Sequence, residues 1–271
     1  MPEGPEIKSS SIILNSWIQN DKLVEIDPAD IAGKYSKKEI KGFSLAGGFI
    51  GKTCEEVRCK GKLLYFAFDE DHAISCNFGM AAQWSKTKNK HTCFSLTFEQ
   101  AGKIYFNDMR HFGNIEFLDK KKLKSKLDDL GTDFLALEES EVADVFYDIE
   151  DALGKSKEII ADDLMNQKIF SGVGNYIRAE ALYMAKIDPS RYSFSLSDKE
   201  IMELCLSISS VMRRSLKLKG ASILTYKNSD ETLGEFTFKC YGRDKDDHGN
   251  EILTKKTKND RTLYYCPEIY K

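Results

Sequence analysis

Residues 57–68 read Val57-Arg58-Cys59-Lys60-Gly61-Lys62-Leu63-Leu64-Tyr65-Phe66-Ala67-Phe68, two apolar runs on either side of a glycine-containing turn. Short runs of this kind bounded by turn residues predict a β-hairpin. Outward from it the pattern repeats in Ala73 to Phe78, Cys93 to Phe98, Ile104 to Phe106 and Ile115 to Leu118, with short turns such as Phe106-Asn107-Asp108 between runs. The stretch 53–119 therefore predicts an antiparallel sandwich or barrel. Ahead of it, Ile7, Leu14, Trp17 and Ile18 recur at helical spacing behind Pro5, a residue that a first helical turn accepts, so a helix is expected over about 5–20. After it, 120–130 is expected to be helical.

The second half starts with a change of composition. Positions 128–163 carry thirteen Asp/Glu against two Lys, net −11, and read as an exposed acidic connector. Helical patterns follow at Ile159 to Gln167 and Tyr176 to Lys186, flanking the tight Ser171-Gly172-Val173-Gly174-Asn175. Ser197 and Glu200 form a capping-box signature for a helix ending near Lys217. Past Gly220, the runs Phe236 to Tyr241, Ile252 to Lys256 and Arg261 to Cys266 suggest a small β-ribbon, with turns at 246–250 and 259–260. The expected class is α+β: an N-terminal β-sandwich domain over 1–135, a linker over 136–152, a helical domain over 153–235 and a ribbon over 236–271. No internal repeat is visible.

Composition narrows the function. A chain of 271 residues with 41% hydrophobic side chains can bury a core, which excludes disorder and fibrous classes. No stretch reaches the roughly 20 apolar residues of a membrane span, and Ile12-Ile13-Leu14 is too short for a signal-peptide core. The expected location is cytosolic, on the nucleoid in a bacterium, or in a nucleus or viral factory. Seven cysteines without close pairs read as reduced thiols. The net charge of −3 gives DNA binding no support by itself, but positions 211–271 carry thirteen Lys/Arg against nine Asp/Glu and can offer phosphates a basic face.

Chemistry starts at the N-terminus. Pro2 is small enough for Met1 to be removed, which would leave a secondary amine at the chain end. Such amines titrate near 8, so a useful fraction is neutral at physiological pH and can attack a sugar aldehyde carbon to form an iminium. Glu3 stands beside it at the start of the expected helix, where the helix dipole favours a carboxylate and disfavours a protonated amine.

Four motifs occur in order: Met-Pro-Glu-Gly-Pro-Glu at 1–6, Gly61-Lys62-Leu63-Leu64, Asn107-Asp108-Met109-Arg110-His111-Phe112-Gly113, and Leu164-Met165-Asn166-Gln167-Lys168 continuing to Gly172-Val173-Gly174-Asn175. Together they resemble the formamidopyrimidine-DNA glycosylase and endonuclease VIII family over nearly the whole chain. The resemblance implies an N-terminal β-sandwich, a helix-two-turn-helix domain and a C-terminal finger. It implies an enzyme that removes oxidised bases from damaged DNA, double-stranded and also single-stranded, and then nicks the abasic strand by β,δ-elimination. A monomer without cofactor or membrane association is expected.

Mapped by motif, Pro2 is the implied nucleophile, Glu3 the acid/base, Glu6 a supporting carboxylate, and Lys62 the lysine that contacts phosphate and assists catalysis. Lys60 is the alternative if the register slips by two. Met80, Arg110 and Phe112 match the residues that fill the hole left by a flipped base. Asn175 and the turn before it are expected at phosphate, Glu180 matches a further family carboxylate, and Arg261 the finger arginine that grips phosphates. Typical relatives end in two Cys-x-x-Cys pairs that hold zinc. Only Cys240, His248 and Cys266 stand here, so no metal and a zincless finger of the endonuclease VIII-like type are expected.

Base preference reads two ways. Gly4 and the missing cysteine pairs lean toward endonuclease VIII-like enzymes, which prefer oxidised pyrimidines and hydantoins. The Met80, Arg110 and Phe112 set leans toward the formamidopyrimidine and 8-oxoguanine branch. The segment from about Gly220 to Glu235 reads as short, which predicts poor 8-oxoguanine excision. A non-catalytic damaged-DNA binding protein and an acidic interaction module over 128–163 are the rival readings.

Overall fold

The computed structural model describes residues 2–28, 34–69, 71–221, 229, 230, 232–258 and 260–270. Two compact units emerge, one holding Glu6–Asp129 and the other Glu3–Pro5, Leu130–Ala221 and 235–270.

The first unit is a β-sandwich. Helix α1 (Gly4–Ile18) is followed by strands β1 (Asp21–Pro28), β2 (Thr53–Cys54), β3 (Glu56–Lys60), β4 (Leu63–Ala67), β5 (His72–Asn77), β6 (Gln83–Ser85), β7 (Thr92–Phe98), β8 (Gly102–Asn107) and β9 (Asn114–Asp119), then helix α2 (Lys120–Asp128). One antiparallel sheet has the order β2-β1-β7-β8-β6 and the other β3-β4-β5-β9. Trp84 anchors the core, with its ring 5.1 Å from Phe66 and 5.2 Å from Phe106. The expected hairpin is present: Lys60 pairs with Leu63, so Gly61 and Lys62 make a two-residue turn, and Gly61 takes φ +55°, a conformation that only glycine adopts without strain. Asn15 of α1 holds the edge strand by accepting from Val57 N (2.6 Å) and donating to Val57 O (2.8 Å).

Strand β1 has no counterpart in the sequence pattern, because Lys22, Glu25 and Asp27 give it a solvated character. Its inward residue Leu23 is fully buried, and a bulge between Leu23 and Glu25 shifts its pairing with β7. The Asp21 carboxylate anchors the start of the strand by accepting from Lys22 N, Gln100 N and Ala101 N.

The second unit continues with β10 (Thr132–Asp133), helices α3 (Phe146–Gly154) and α4 (Ile160–Asp163), β11 (Phe170–Ser171), α5 (Asn175–Ala185), α6 (Asp198–Lys217), and the antiparallel ribbon of β12 (Leu253–Lys256) and β13 (Thr262–Tyr265). Helix α6 starts where the sequence placed it. Glu200 N donates to Ser197 Oγ at 3.4 Å, and Ser197 N donates to Glu200 Oε2 at 2.8 Å.

Four expectations change. The acidic stretch 136–152 is not a connector: it forms a 3-10 turn (Glu139–Val145) and most of α3, and it buries Val142 and Ile149, with Leu153 just after it, within the second unit. Arg213 of α6 donates to Leu137 O, which ties the stretch down. The units part after Asp129, ahead of the expected boundary. The helix expected over 159–167 shortens to α4. Phe236 to Tyr241 is not a strand, because its amides at 239–241 donate to the Glu180 carboxylate instead of to a neighbouring strand. Within the expected loop from about Gly220 to Glu235, residues 222–228 and 231 lie outside the described residues.

Candidate active site

Glu3 is 2% exposed, and its placement follows from glycines and helix geometry. Gly4 N donates to Gly172 O at 2.9 Å, which sets the segment Glu3–Pro5 against the turn before α5. The Glu3 carboxylate then accepts from Tyr176 N at 3.0 Å and Ile177 N at 3.3 Å, two of the first amides of α5, which lack partners within the helix. The positive end of the helix dipole adds to this and favours the ionised form. Room for the carboxylate comes from Gly174, where a Cβ would lie 2.3 Å from Glu3 Cδ.

The turn itself is built by Gln167, which accepts from Gly172 N (3.1 Å) and donates to Val173 O (2.8 Å). Gly172 has φ +89°. Of the turn amides expected to await a phosphate, Gly172 N is held by Gln167 and Val173 N donates to Phe170 O at 3.4 Å, while the next amides along, Tyr176 N and Ile177 N, hold Glu3. The Asn175 side chain is also engaged within the protein, with Nδ2 donating to Thr262 O at 2.9 Å and Oδ1 accepting from Arg178. Asn175 thus links α5 to β13 beside Arg261.

Arg178 is a site residue that the sequence reading missed. It is fully buried, donates to Ala161 O at 3.0 Å and, through its second nitrogen, to Asn175. Burial lowers its pKa, against the opposing attraction of Asp162 and Glu3. Its signal is a lone cation in the otherwise apolar run Tyr176-Ile177-Arg178-Ala179.

Pro2 is buried immediately before Glu3 in the chain, and Glu6 is a buried carboxylate in the first turn of α1. Lys62 is half-buried at the hairpin turn itself. Lys60 donates to Leu127 O at 2.9 Å, near the C-terminal end of α2, and so braces that helix against the hairpin.

The expected hole-filling residues come together on one knob of the first unit. Arg110 Nη1 lies 3.6 Å from Met80 Sδ, and Phe112 is 60% exposed beside them. The loop carrying Arg110 is shaped by buried Asp108, which accepts from Tyr35 Oη (2.6 Å), Gly113 N (2.7 Å) and Arg110 N (3.3 Å). Burial and this contact push the Tyr35 phenol far up, so it stays a donor. The Met80 loop packs directly on Phe112: at Gly79, with φ +55°, a Cβ would come within 2.5 Å of the Phe112 carbonyl carbon.

Glu180 is 1% exposed and accepts from Lys239 N, Cys240 N and Tyr241 N at 2.8–2.9 Å. Burial raises its pKa, against the pull of these three amides. Its visible task is to hold the base of the ribbon.

The residues at that base do not fit zinc. Cys240 and Cys266 are buried in an apolar cluster with Ile252, whereas a structural zinc needs four nitrogen or sulfur ligands around it. Among the described residues no group of three or more His, Cys, Asp or Glu is placed to hold a metal ion. Asp246 organises this turn by accepting from Tyr183 Oη (3.0 Å), His248 N (2.9 Å) and Asn250 N (2.9 Å). Burial alone would raise its carboxyl, but these hydrogen bonds hold it well below the usual carboxylate range.

Two family models match the chain. The formamidopyrimidine-DNA glycosylase N-terminal domain covers residues 1–115, and the formamidopyrimidine-DNA glycosylase H2TH domain covers 135–227. The chain is 28% identical to the formamidopyrimidine-DNA glycosylase of Rickettsia felis, over 98% of this chain and 97% of that one. It is 26% identical to the enzyme of the same name from a Wolbachia of Drosophila simulans, over 98% of both. Among solved structures it resembles the MutM (Fpg) protein of Thermus thermophilus, with TM-score 0.86, 23% identity and coverage of 99% and 98%. It also resembles a mutant Lactococcus lactis Fpg in complex with DNA containing Fapy-dG, with TM-score 0.84, 25% identity and 99% coverage of both chains.

Proposed function

The chain belongs to the formamidopyrimidine-DNA glycosylase and endonuclease VIII family of base-excision DNA glycosylases, and from that premise we propose that it excises oxidised bases, formamidopyrimidines and oxidised pyrimidines among them, and nicks the resulting abasic strand. The Pro2 nitrogen, freed once Met1 is removed, attacks C1′ of the damaged nucleoside. The N–C1′ bond forms, the glycosidic bond breaks, and its electron pair leaves with the base. The amine then loses its proton, and the C1′–O4′ bond breaks as O4′ takes a proton from Glu3. The ring-opened iminium that forms makes the C2′ hydrogen acidic, so that its removal by β-elimination expels the 3′ phosphate. δ-Elimination then expels the 5′ phosphate.

The observation that carries this reading is the Glu3 carboxylate, buried at the N-terminus of α5 and one residue from Pro2. Held by two amides, it is a fixed group able to move a proton between the sugar and the ring opening, at a position that cannot drift. Lys62 on its hairpin turn serves the phosphate beside the lesion. Met80, Arg110 and Phe112 fill the space the flipped base leaves. Arg261, next to the Thr262 carbonyl that Asn175 of α5 holds, grips the flanking backbone. Glu6 and Glu180 support the site by holding local structure.

Borohydride reduction during reaction with abasic or lesion-containing DNA tests the reading. A covalent adduct through Pro2 is expected, and an uncleaved N-terminal extension should abolish it. Trapping that survives the extension removes Pro2 from the mechanism. A second reading, with 8-oxoguanine as a favoured base, draws on the joined Met80–Arg110–Phe112 knob and on the names of the relatives. A lesion panel with strand-cleavage readout separates the two. Rapid release of 8-oxoguanine opposite cytosine establishes the second.

A further inference from the structure

Among the described residues, the exposed aromatic side chains are Phe112, treated above, and Tyr147, Tyr192 and Phe194, all three in the second unit. Isolated apolar exposure on a surface needs no explanation, but organised exposure does. Tyr192 and Phe194 stack nearly parallel, with ring centroids 5.4 Å apart and an interplanar angle of 17°, while each stays more than half exposed.

The stack is rigidly based. Ser193 between the two rings is buried, its amide donates to Glu158 O at 3.0 Å, and its hydroxyl donates to Asp163 Oδ2 at 2.5 Å. Tyr192 bridges Ile159 in antiparallel fashion. The 3-10 turn Ser193–Ser195 packs on α3, which carries Tyr147, its ring set edge-on to Phe146 at 5.3 Å.

The backbone that supports the stack is the acidic segment, net −11 over 128–163, which the proposed chemistry does not use. Three nearby cations are tied up in ion pairs, Lys155 with Asp151, Lys258 with Glu158, and Arg191 with Glu200. Asp144 and Asp148 on either side of Tyr147 remain exposed. Flat, preordered aromatic faces set among carboxylates are complementary to guanidinium groups, which stack on rings and form charge-assisted hydrogen bonds to acids. Nucleic acid is disfavoured here, since bases could stack but their phosphates would face net negative charge.

We propose that the surface bearing Tyr147, Tyr192, Phe194 and the exposed carboxylates Asp144, just ahead of α3, and Asp148, in its first turn, docks an arginine-rich segment of a partner protein. The rings receive the guanidinium planes, and Asp144 and Asp148 receive their hydrogen bonds.

The test is titration of the full chain into a fluorescent peptide of alternating arginine and glycine, followed by anisotropy at low and physiological salt. Binding is expected. It should weaken about fivefold or more in the Tyr192→Ala/Phe194→Ala double variant, the size expected for exposed cation–π contacts. Unfolding temperature and abasic-site nicking should stay unchanged in that variant. An Asp144→Lys/Asp148→Lys variant should also bind more weakly and show a flatter salt dependence. A lysine-glycine peptide should bind less well than the arginine peptide. The proposal is overturned by equal affinity of the aromatic double variant for the arginine peptide. It is also overturned if that variant instead loses concentration-dependent self-association, which would make a second copy the occupant, or loses affinity for single-stranded DNA. The peptide-binding readouts are independent of Pro2, so failure here leaves the glycosylase reading standing, and the reverse holds.

Discussion

Alanine at position 174 isolates the placement of Glu3 from every other feature of the site. Gly174 has φ −133°, which any residue adopts, so the substitution acts through its added methyl group alone. That Cβ would stand 2.3 Å from Glu3 Cδ and 2.5 Å from Oε1. Restoring ordinary contact requires the carboxylate to retreat by about 1 Å or more. The movement breaks hydrogen bonds from Tyr176 N at 3.0 Å and Ile177 N at 3.3 Å. Each hydrogen bond to a charged group contributes roughly 1.5–3 kcal/mol, and water reaching the freed amides returns part of it, so a loss of about 2 kcal/mol in stability is expected. The kinetic effect is larger, because a displacement of about 1 Å at a proton-transferring group costs on the order of a hundredfold in rate. Single-turnover excision from a duplex containing a formamidopyrimidine should fall by about that factor. Nicking of a preformed abasic site, which needs no base departure, should fall less. Wild-type excision by the Gly174→Ala protein would refute the assignment of Glu3 as the proton-handling group held by α5.

Three further outcomes follow from the geometry. Glu180→Ala leaves the buried amide of Cys240 and the part-buried amides of Lys239 and Tyr241 without their acceptor and should lower stability by about 3 kcal/mol, read by denaturant unfolding; a change below about 1 kcal/mol would show that water replaces the carboxylate freely. Arg261→Ala should weaken binding to all DNA sequences similarly and reduce the salt slope by about one phosphate contact, and an unchanged slope would take Arg261 out of the interface. Arg191 hydrogen-bonded to Glu200, joined by the Ser197 amide, lowers the Glu200 carboxyl from 4.5 to about 2. Its contribution is therefore complete above the ordinary carboxylate pKa and is lost as pH falls from about 4.5 toward 2. Acid unfolding of Glu200→Gln should lack this limb, and an identical acid profile would contradict it.

Local pattern explains what could be read early. Short apolar runs at β4, β5, β7 and β9 and the glycine at position 61 are near-neighbour properties, so the sandwich and its hairpin were legible. The Ser197–Glu200 capping box was legible for the same reason. Strand β1 was not, because its burial depends on pairing with β7 far along the chain, and a charged strand with one inward leucine carries no periodic signal. The acidic stretch misled in the same way. Its charges lie on the solvated side, while Val142, Ile149 and Leu153 at wider spacing determine that it packs.

The order of the motifs alone identified the family and nominated Pro2, Glu3, Lys62 and the Met80, Arg110 and Phe112 set, because catalytic groups must be of particular chemical types. Which donors each group meets was decided only by tertiary structure. Glu3 occupies two amides of the first turn of α5, Asn175 is engaged by Arg178 and Thr262, and Glu180 holds the amides at 239–241. Hydrogen-bond partners lie up to 174 residues apart in the chain. A sequence specifies which atoms can donate and accept, but folding decides which of them come within 3 Å of one another, and burial makes that choice costly to reverse.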